Sequence, residues 1–203
     1  MNMNRIIFTG AQGTGKTTIL DEFRNQGKNV ITEVVRNLAK EGVKINEMGD
    51  EKGQKKIFST YEKLLSEQVE YISDRGLIDV LAYTMHLNKK GLVSDKLVKS
   101  QFNALKKFVK NNQDIIYCYF PIEFDVVDDG VRSLDEDYRR EIDNNIKEIL
   151  ISLGAPWVTV RGGVEARVNM VNMIYQWLNA GVILFSEAFQ TIAKSCNVTN
   201  KAK

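Results

Sequence analysis

Histidine and cysteine are almost missing from this 203-residue chain, which has one histidine, His86, and two cysteines, Cys118 and Cys196. A protein zinc site needs a cluster of such ligands at set spacings, so none is expected. The cysteines form no spaced pair, and Cys118 falls inside an apolar strand-like run where a reduced, buried thiol is expected. Long apolar runs are lacking too: none approaches the roughly 18 residues of a membrane span. The leading Met1-Asn2-Met3-Asn4-Arg5 carries one charge and runs straight into a short β-like segment. It has none of the parts of a secretory signal, so a cytoplasmic location and no membrane partner are expected. Charge of one sign is scarce as well. The net charge of +2 is small beside that of a dedicated duplex-DNA binder. Repeats, low-complexity tracts and linkers are lacking, so residues 1–203 read as one domain, long enough to bury its own core.

What is present is an alternation. Five β-like runs occur at Arg5-Ile6-Ile7-Phe8-Thr9, Val30-Ile31-Thr32, Tyr71-Ile72-Ser73, Ile115 to Phe120 and Trp157-Val158-Thr159-Val160. Helical patterns separate them, which predicts an α/β fold with a largely parallel sheet. Val98, Phe102, Leu105 and Val109 form one helical stripe. Ser133-Leu134-Asp135-Glu136 reads as a capping box that starts a helix. That helix carries Tyr138, Ile142, Ile146, Ile149 and Leu153 and ends near Gly154. Val164, Val168, Val171, Tyr175 and Leu178 predict another. The tail adds one short helix over 183–195, with apolar residues from Ile183 to Ile192.

The strongest signal is Gly10-Ala11-Gln12-Gly13-Thr14-Gly15-Lys16-Thr17, which fits G-x-x-x-x-G-K-[ST]. It follows an apolar strand and opens a helix through Thr18-Ile19-Leu20, the context a phosphate-binding loop needs. The glycines let successive backbone N–H groups turn inward as a nest for phosphate oxygens, and the helix adds its positive end. Lys16 is placed to reach the β- and γ-phosphates, and the Thr17 hydroxyl to coordinate Mg2+. ATP with Mg2+ is therefore the expected ligand pair.

In an open α/β sheet, charged residues at the carboxyl ends of strands are site candidates. Glu33-Val34-Val35-Arg36 follows the second strand, and Asp74-Arg75-Gly76-Leu77-Ile78-Asp79 the third. With Asp128-Asp129-Gly130-Val131-Arg132-Ser133, these stretches make the chain resemble the P-loop nucleoside and nucleotide kinases. The likeness is greatest to the group related to nicotinamide riboside kinase and phage nucleotide kinases, and it extends to about residue 178. It implies a three-layer sandwich with a five-stranded parallel sheet of order 2-3-1-4-5, an arginine-bearing lid, a nucleoside or nucleotide acceptor and a homodimer. The third-strand element in deoxynucleoside kinases is usually Asp/Glu-Arg-Ser; here Gly76 replaces the serine. In those kinases the second-strand carboxylate faces the acceptor hydroxyl, which makes Glu33 the first choice of base. Asp74 is the alternative base or a partner of the metal, and Arg36 and Arg75 are clamps on phosphate or acceptor. The competing readings are ion pairs and helix caps, with Asp74 capping the next helix and Asp79 offsetting its dipole.

The resemblance also places a lid at about 125–141, with Arg132 as its foremost arginine and Arg139 next. Asp135 with Arg139 and Glu136 with Arg140 are spaced i,i+4, so exposed helix pairs are the plainer account of those two arginines. Arg161-Gly162-Gly163 follows the fifth strand, where related kinases pass near the adenine ring. Lys96, Lys99, Lys106, Lys107 and Lys110 read as a solvated helix face, His86 as a partly exposed surface residue, and Trp157 and Trp177 as core aromatics. The lysine face also suits a rival acceptor, hydroxymethyluracil within phage DNA. A nucleotide switch or plain ATPase is the rival from another class. Against the switch, Asn88-Lys89-Lys90-Gly91 lacks the aspartate of a guanine-reading Asn-Lys-x-Asp element.

Overall fold

The computed structural model describes residues 4–125 and 135–180. Five short strands form one sheet: β1 Arg5–Thr9, β2 Val30–Ile31, β3 Tyr71–Asp74, β4 Ile116–Tyr119 and β5 Trp157–Thr159. All pair in parallel, in the order β2-β3-β1-β4-β5. Among the described residues, seven α-helices flank the sheet: α1 Lys16–Asn25, α2 Val34–Lys40, α3 Glu51–Glu67, α4 Leu77–Lys89, α5 Asp95–Asn111, α6 Glu136–Leu153 and α7 Val164–Asn179.

The strand residues alternate between two cores, which is why the strands read as unbroken apolar runs. Ile7, Tyr71, Tyr117 and Tyr119 pack with α2 to α6 on one face. Ile6, Phe8, Ile72, Ile116 and Cys118 pack with α1 and α7 on the other. Burial pushes the Cys118 thiol up, and it is a free cysteine. Helix, sheet and helix thus form the three layers expected. Among the described residues, no helix is long and apolar enough to cross a membrane.

Several local expectations change. Helix α6 is capped by Asp135, whose side chain accepts from the Asp137 and Tyr138 N–H groups, so the capping box based on Ser133 is not what starts it. Aspartate at that position captures two orphan amides of the first turn. The stripe on α7 holds at Val171, Tyr175 and Leu178, but Val164 is exposed at the helix start. His86 is buried, not on the surface, because α4 packs against α3, α5 and α6 at once. Its Nδ1 lies 2.9 Å from a Glu141 carboxylate oxygen, and its ring is edge-on to Tyr138. Trp157 is edge-on to Tyr119, and Trp177 is partly buried against the second core. The α5 lysines are all exposed. Arg132, Ser133, Cys196 and the helix expected over 183–195 lie outside the described residues.

Candidate active site

The loop between β1 and α1 owes its shape to three glycines in left-handed or related conformations, with φ 146° at Gly10, 68° at Gly13 and 81° at Gly15. Gly10 is also a close approach: a Cβ there would sit 2.4 Å from the Phe120 carbonyl at the end of β4. The carbonyls from Gly10 to Thr14 are each taken by a cation. Lys16 Nζ donates to the Gly10 oxygen at 2.7 Å and to the Ala11 oxygen at 2.6 Å. Arg139, from α6, donates to the Gln12 oxygen at 2.9 Å and the Gly13 oxygen at 3.1 Å. Arg167, from α7, donates to the Thr14 oxygen at 2.6 Å. With the carbonyls held outward by charge, the loop amides are left facing the other way, the arrangement an anion nest requires.

Two buried arginines share this work with Lys16, and the structure replaces the exposed-pair reading of one of them. Arg139 is 1% exposed, so it is no member of an exposed helix pair; it also meets Glu136 at 3.0 Å and donates to the Phe124 oxygen. Arg140 is exposed and meets Asp137 at 4.0 Å, an i,i+3 partner and not the expected i,i+4 one. Arg167 was not anticipated at all. It is 2% exposed, lies over the Phe120 and Phe124 rings, and pairs with Glu123 at 2.8 Å. The same Glu123 oxygen accepts from the Gly162 N–H, and Arg161 pairs with the other at 3.2 Å. Arg161 is therefore exposed beside Glu123, in the turn between β5 and α7.

Parallel register sets Asp74 opposite Phe8, next to the loop. Its Oδ2 accepts from the Thr17 hydroxyl at 3.3 Å, and its Oδ1 is buried without a partner. Tyr61 from α3 donates to the Asp74 carbonyl at 3.0 Å. Asp79 does more than offset a helix dipole. It is 1% exposed and accepts from the Gly10 N–H at 3.2 Å and the Gly76 N–H at 3.1 Å, tying the first loop amide to the start of α4. Asp74 does not cap α4; Gly76 occupies the cap position. Burial pushes the Asp79 carboxyl up, against the opposing pull of Arg75, Lys16 and the Gly10 N–H.

Glu33 and Arg75 both adopt left-handed backbone, at φ 59° and 72°. For residues with a Cβ this costs about 1–2 kcal/mol each, and such outliers cluster at functional sites. Glu33 meets Arg36 at 3.3 Å, both side chains being about two-fifths exposed. Arg75 lies over the Tyr83 ring and meets Asp79 at 3.5 Å. One cleft is lined by Gln12, Thr17, Glu33, Arg36, Asp74 and Arg75, with apolar walls from Val34, Val35, Ile45, Ile57 and Val80. Of the sequence-predicted residues, Gln12, Thr17, Glu33, Arg36, Asp74 and Arg75 meet in this cleft beside the loop, while Arg139 lies behind the loop, Arg161 beside Glu123, Thr18 is exposed on the first turn of α1, and Arg132 is outside the described residues. Residues missed from sequence are Asp79 as a loop anchor, Arg167, Glu123 and Tyr83; no local pattern marks them.

A phosphate loop on a parallel sheet of this order defines the P-loop class of kinase-type folds. The chain belongs to the AAA domain family, whose model matches residues 5–167. No curated protein is significantly similar to it. Among solved structures it is similar to NadR in complex with NR, with 15% identity and TM-score 0.67 over 91% of this chain and 54% of NadR. It thus spans about half the length of that protein. It is also similar to deoxyadenosine kinase from M. mycoides with bound dATP, with 17% identity and TM-score 0.61 over 85% of this chain and 99% of that one. Thymidylate kinase from Ehrlichia chaffeensis follows, with 16% identity and TM-score 0.51 over 87% and 100%. At such identities the likeness is one of fold.

Proposed function

We propose that the chain is an ATP- and Mg2+-dependent kinase that moves the γ-phosphoryl group to a hydroxyl of a nucleoside or nucleotide. The observation that carries this is the meeting, in one cleft, of the phosphate loop with two carboxylates and two arginines from the ends of β2 and β3. The residues fit both ligands. The glycine nest and Lys16 suit a polyphosphate, and the buried, unpartnered Asp74 oxygen beside the Thr17 hydroxyl suits a hard cation. When bound, the metal neutralises charge on the phosphate oxygens.

The protein's own part is positioning. Loop amides and Lys16 hold the β- and γ-phosphates. Glu33 orients the acceptor hydroxyl and takes its proton as the new P–O bond forms and the bond to the leaving ADP oxygen breaks. Arg36 and Arg75 hold phosphate or acceptor oxygens, Arg132 closes over the phosphates, and the Arg161 turn lies near the adenine. The likeness of fold to a deoxyadenosine kinase and a thymidylate kinase supports a nucleoside or nucleotide acceptor. The acceptor sits between α3 and α4, against Ile45, Ile57, Val80 and Tyr83. The test is labelled ATP with Mg2+ against a panel of nucleosides, nucleoside monophosphates and DNA containing hydroxymethyluracil. Label transfer to one arm names the acceptor. Equal ATP hydrolysis with and without every acceptor would leave an ATPase instead.

A further inference from the structure

Gln12 is the loop residue whose side chain the phosphate nest does not need, since the nest is made of backbone. Yet that side chain is placed with care. Gln12 is 6% exposed, and its Oε1 accepts from the Tyr83 hydroxyl at 3.1 Å. Its Nε2 is buried and has no partner among the described residues. Gln12 and Tyr83 both line the cleft that holds Glu33 and Asp74.

Donor and acceptor accounting fixes which way the amide points. The Arg75 guanidinium lies over the Tyr83 ring, 5.3 Å from its centroid. The Tyr83 hydroxyl carries a single proton, and it is given to the Gln12 side-chain oxygen. That proton must meet an oxygen. The amide thus has Oε1 toward Tyr83 and Nε2 toward a place where the described residues offer nothing. A buried N–H left unmade is costly, and such exceptions call for a partner from outside the chain.

We propose that Gln12 Nε2 is a substrate contact, donating a hydrogen bond to an oxygen where the terminal phosphoryl group and the acceptor meet, with Tyr83 as the residue that positions it. This rests on the kinase reading above. The contact is distinct from the loop amides, because it reports on the cleft and not on the nest. Its partner is an oxygen acceptor of either the phosphoryl group or the acceptor molecule.

The experiment uses the full chain with Mg2+ and ATP, and the acceptor panel above, on Gln12→Met, Tyr83→Phe and the double variant. Methionine keeps the length of glutamine and removes the donor. The expected result is a loss of kcat/KM for the acceptor of about 10–100-fold in Gln12→Met, the range for a hydrogen bond to a charged or strongly polar partner. A fall in kcat alone assigns the oxygen to the phosphoryl group, whereas a rise in acceptor KM alone assigns it to the acceptor. Tyr83→Phe should lose less, and should add nothing to Gln12→Met, because the two act through one amide. The ligand-free Tm of Gln12→Met should fall no further than that of Tyr83→Phe, since the bond they share is the one lost. A Gln12→Met protein as active as wild type overturns the inference, as does a Tm loss well beyond that of Tyr83→Phe. A wild type that binds ATP but transfers to no acceptor overturns the kinase reading, and this inference with it.

Discussion

Arg167 offers the sharpest test of how the phosphate loop is held. Its guanidinium makes one bond to the Thr14 carbonyl at 2.6 Å and one to Glu123 at 2.8 Å, and only 2% of the residue is exposed. Arg167→Met keeps an unbranched stem against Phe120 and Phe124, so little packing is lost. It leaves a buried carbonyl and a carboxylate without their cation. Breaking a buried pair from one side costs about 3–5 kcal/mol. Glu123 is partly exposed and keeps Arg161 and the Gly162 N–H, which argues for the lower end, about 3 kcal/mol. For a chain of this length that is a fall in Tm of about 6–12 °C. Arg167→Lys can restore one of the two bonds and should lose about half as much. Because Thr14 sits in the nest, affinity for Mg2+ and ATP should also weaken by about tenfold, or 1.4 kcal/mol. The pair adds a pH signature. Burial pushes the Glu123 carboxyl up, but bonds from Arg167 and the Gly162 N–H outweigh it and hold the group below its ordinary value. A carboxylate lowered in this way stabilises the fold above its unfolded pKa of about 4.3, and the stabilisation is lost as pH falls through the lower, folded value. Wild-type Tm should therefore drop on acidification below about pH 4.3, and the methionine variant should show a shallower drop. Differential scanning fluorimetry across pH and calorimetric titration of ATP measure both effects. A variant whose Tm stays within about 2 °C and which binds ATP like wild type would refute the idea that this arginine holds the loop.

Three further outcomes are expected. Lys16→Ala should abolish phosphoryl transfer while keeping the far-ultraviolet circular dichroism of the fold, and label transfer at the native rate would remove the lysine from the mechanism. Glu33→Gln should bind ATP normally and lose most turnover in the labelled-ATP assay; full turnover would hand the base to Asp74. Gly10→Ala should destabilise the fold by about 1–3 kcal/mol in urea titration, since the new Cβ meets the Phe120 carbonyl at 2.4 Å and φ is 146°. A neutral result would mean that the β1 and β4 ends are free to part.

Much of this arrangement can be read from the residues in order. The glycine spacing, Lys16 and Thr17 mark the loop, and apolar runs broken by charge mark Glu33, Asp74 and Arg75 at strand ends. The five strands and their order follow from the same alternation and the resemblance. What escaped were polar residues buried by tertiary packing. Asp79 and His86 lie on α4, a helix covered by three others, so positions that would face solvent on an outer helix are enclosed. Helix α3 was not anticipated; it is capped by Asp50 through the Gly53 N–H, and its apolar residues Ile57, Tyr61 and Leu65 sit among many lysines and glutamates. Arg139 looked like an exposed helix charge because nothing nearby in sequence says that its partners are the carbonyls of Gln12 and Gly13.

The cations that shape the loop come from the far end of the polypeptide. Arg139 and Arg167 are 127 and 153 positions beyond the carbonyls they hold. A nascent chain that has emerged only as far as the first three strands owns every letter of the glycine-lysine signature and lacks the geometry to use it. A loop that depends on both arginines for its shape would gain its binding geometry only once α6 and α7 have docked.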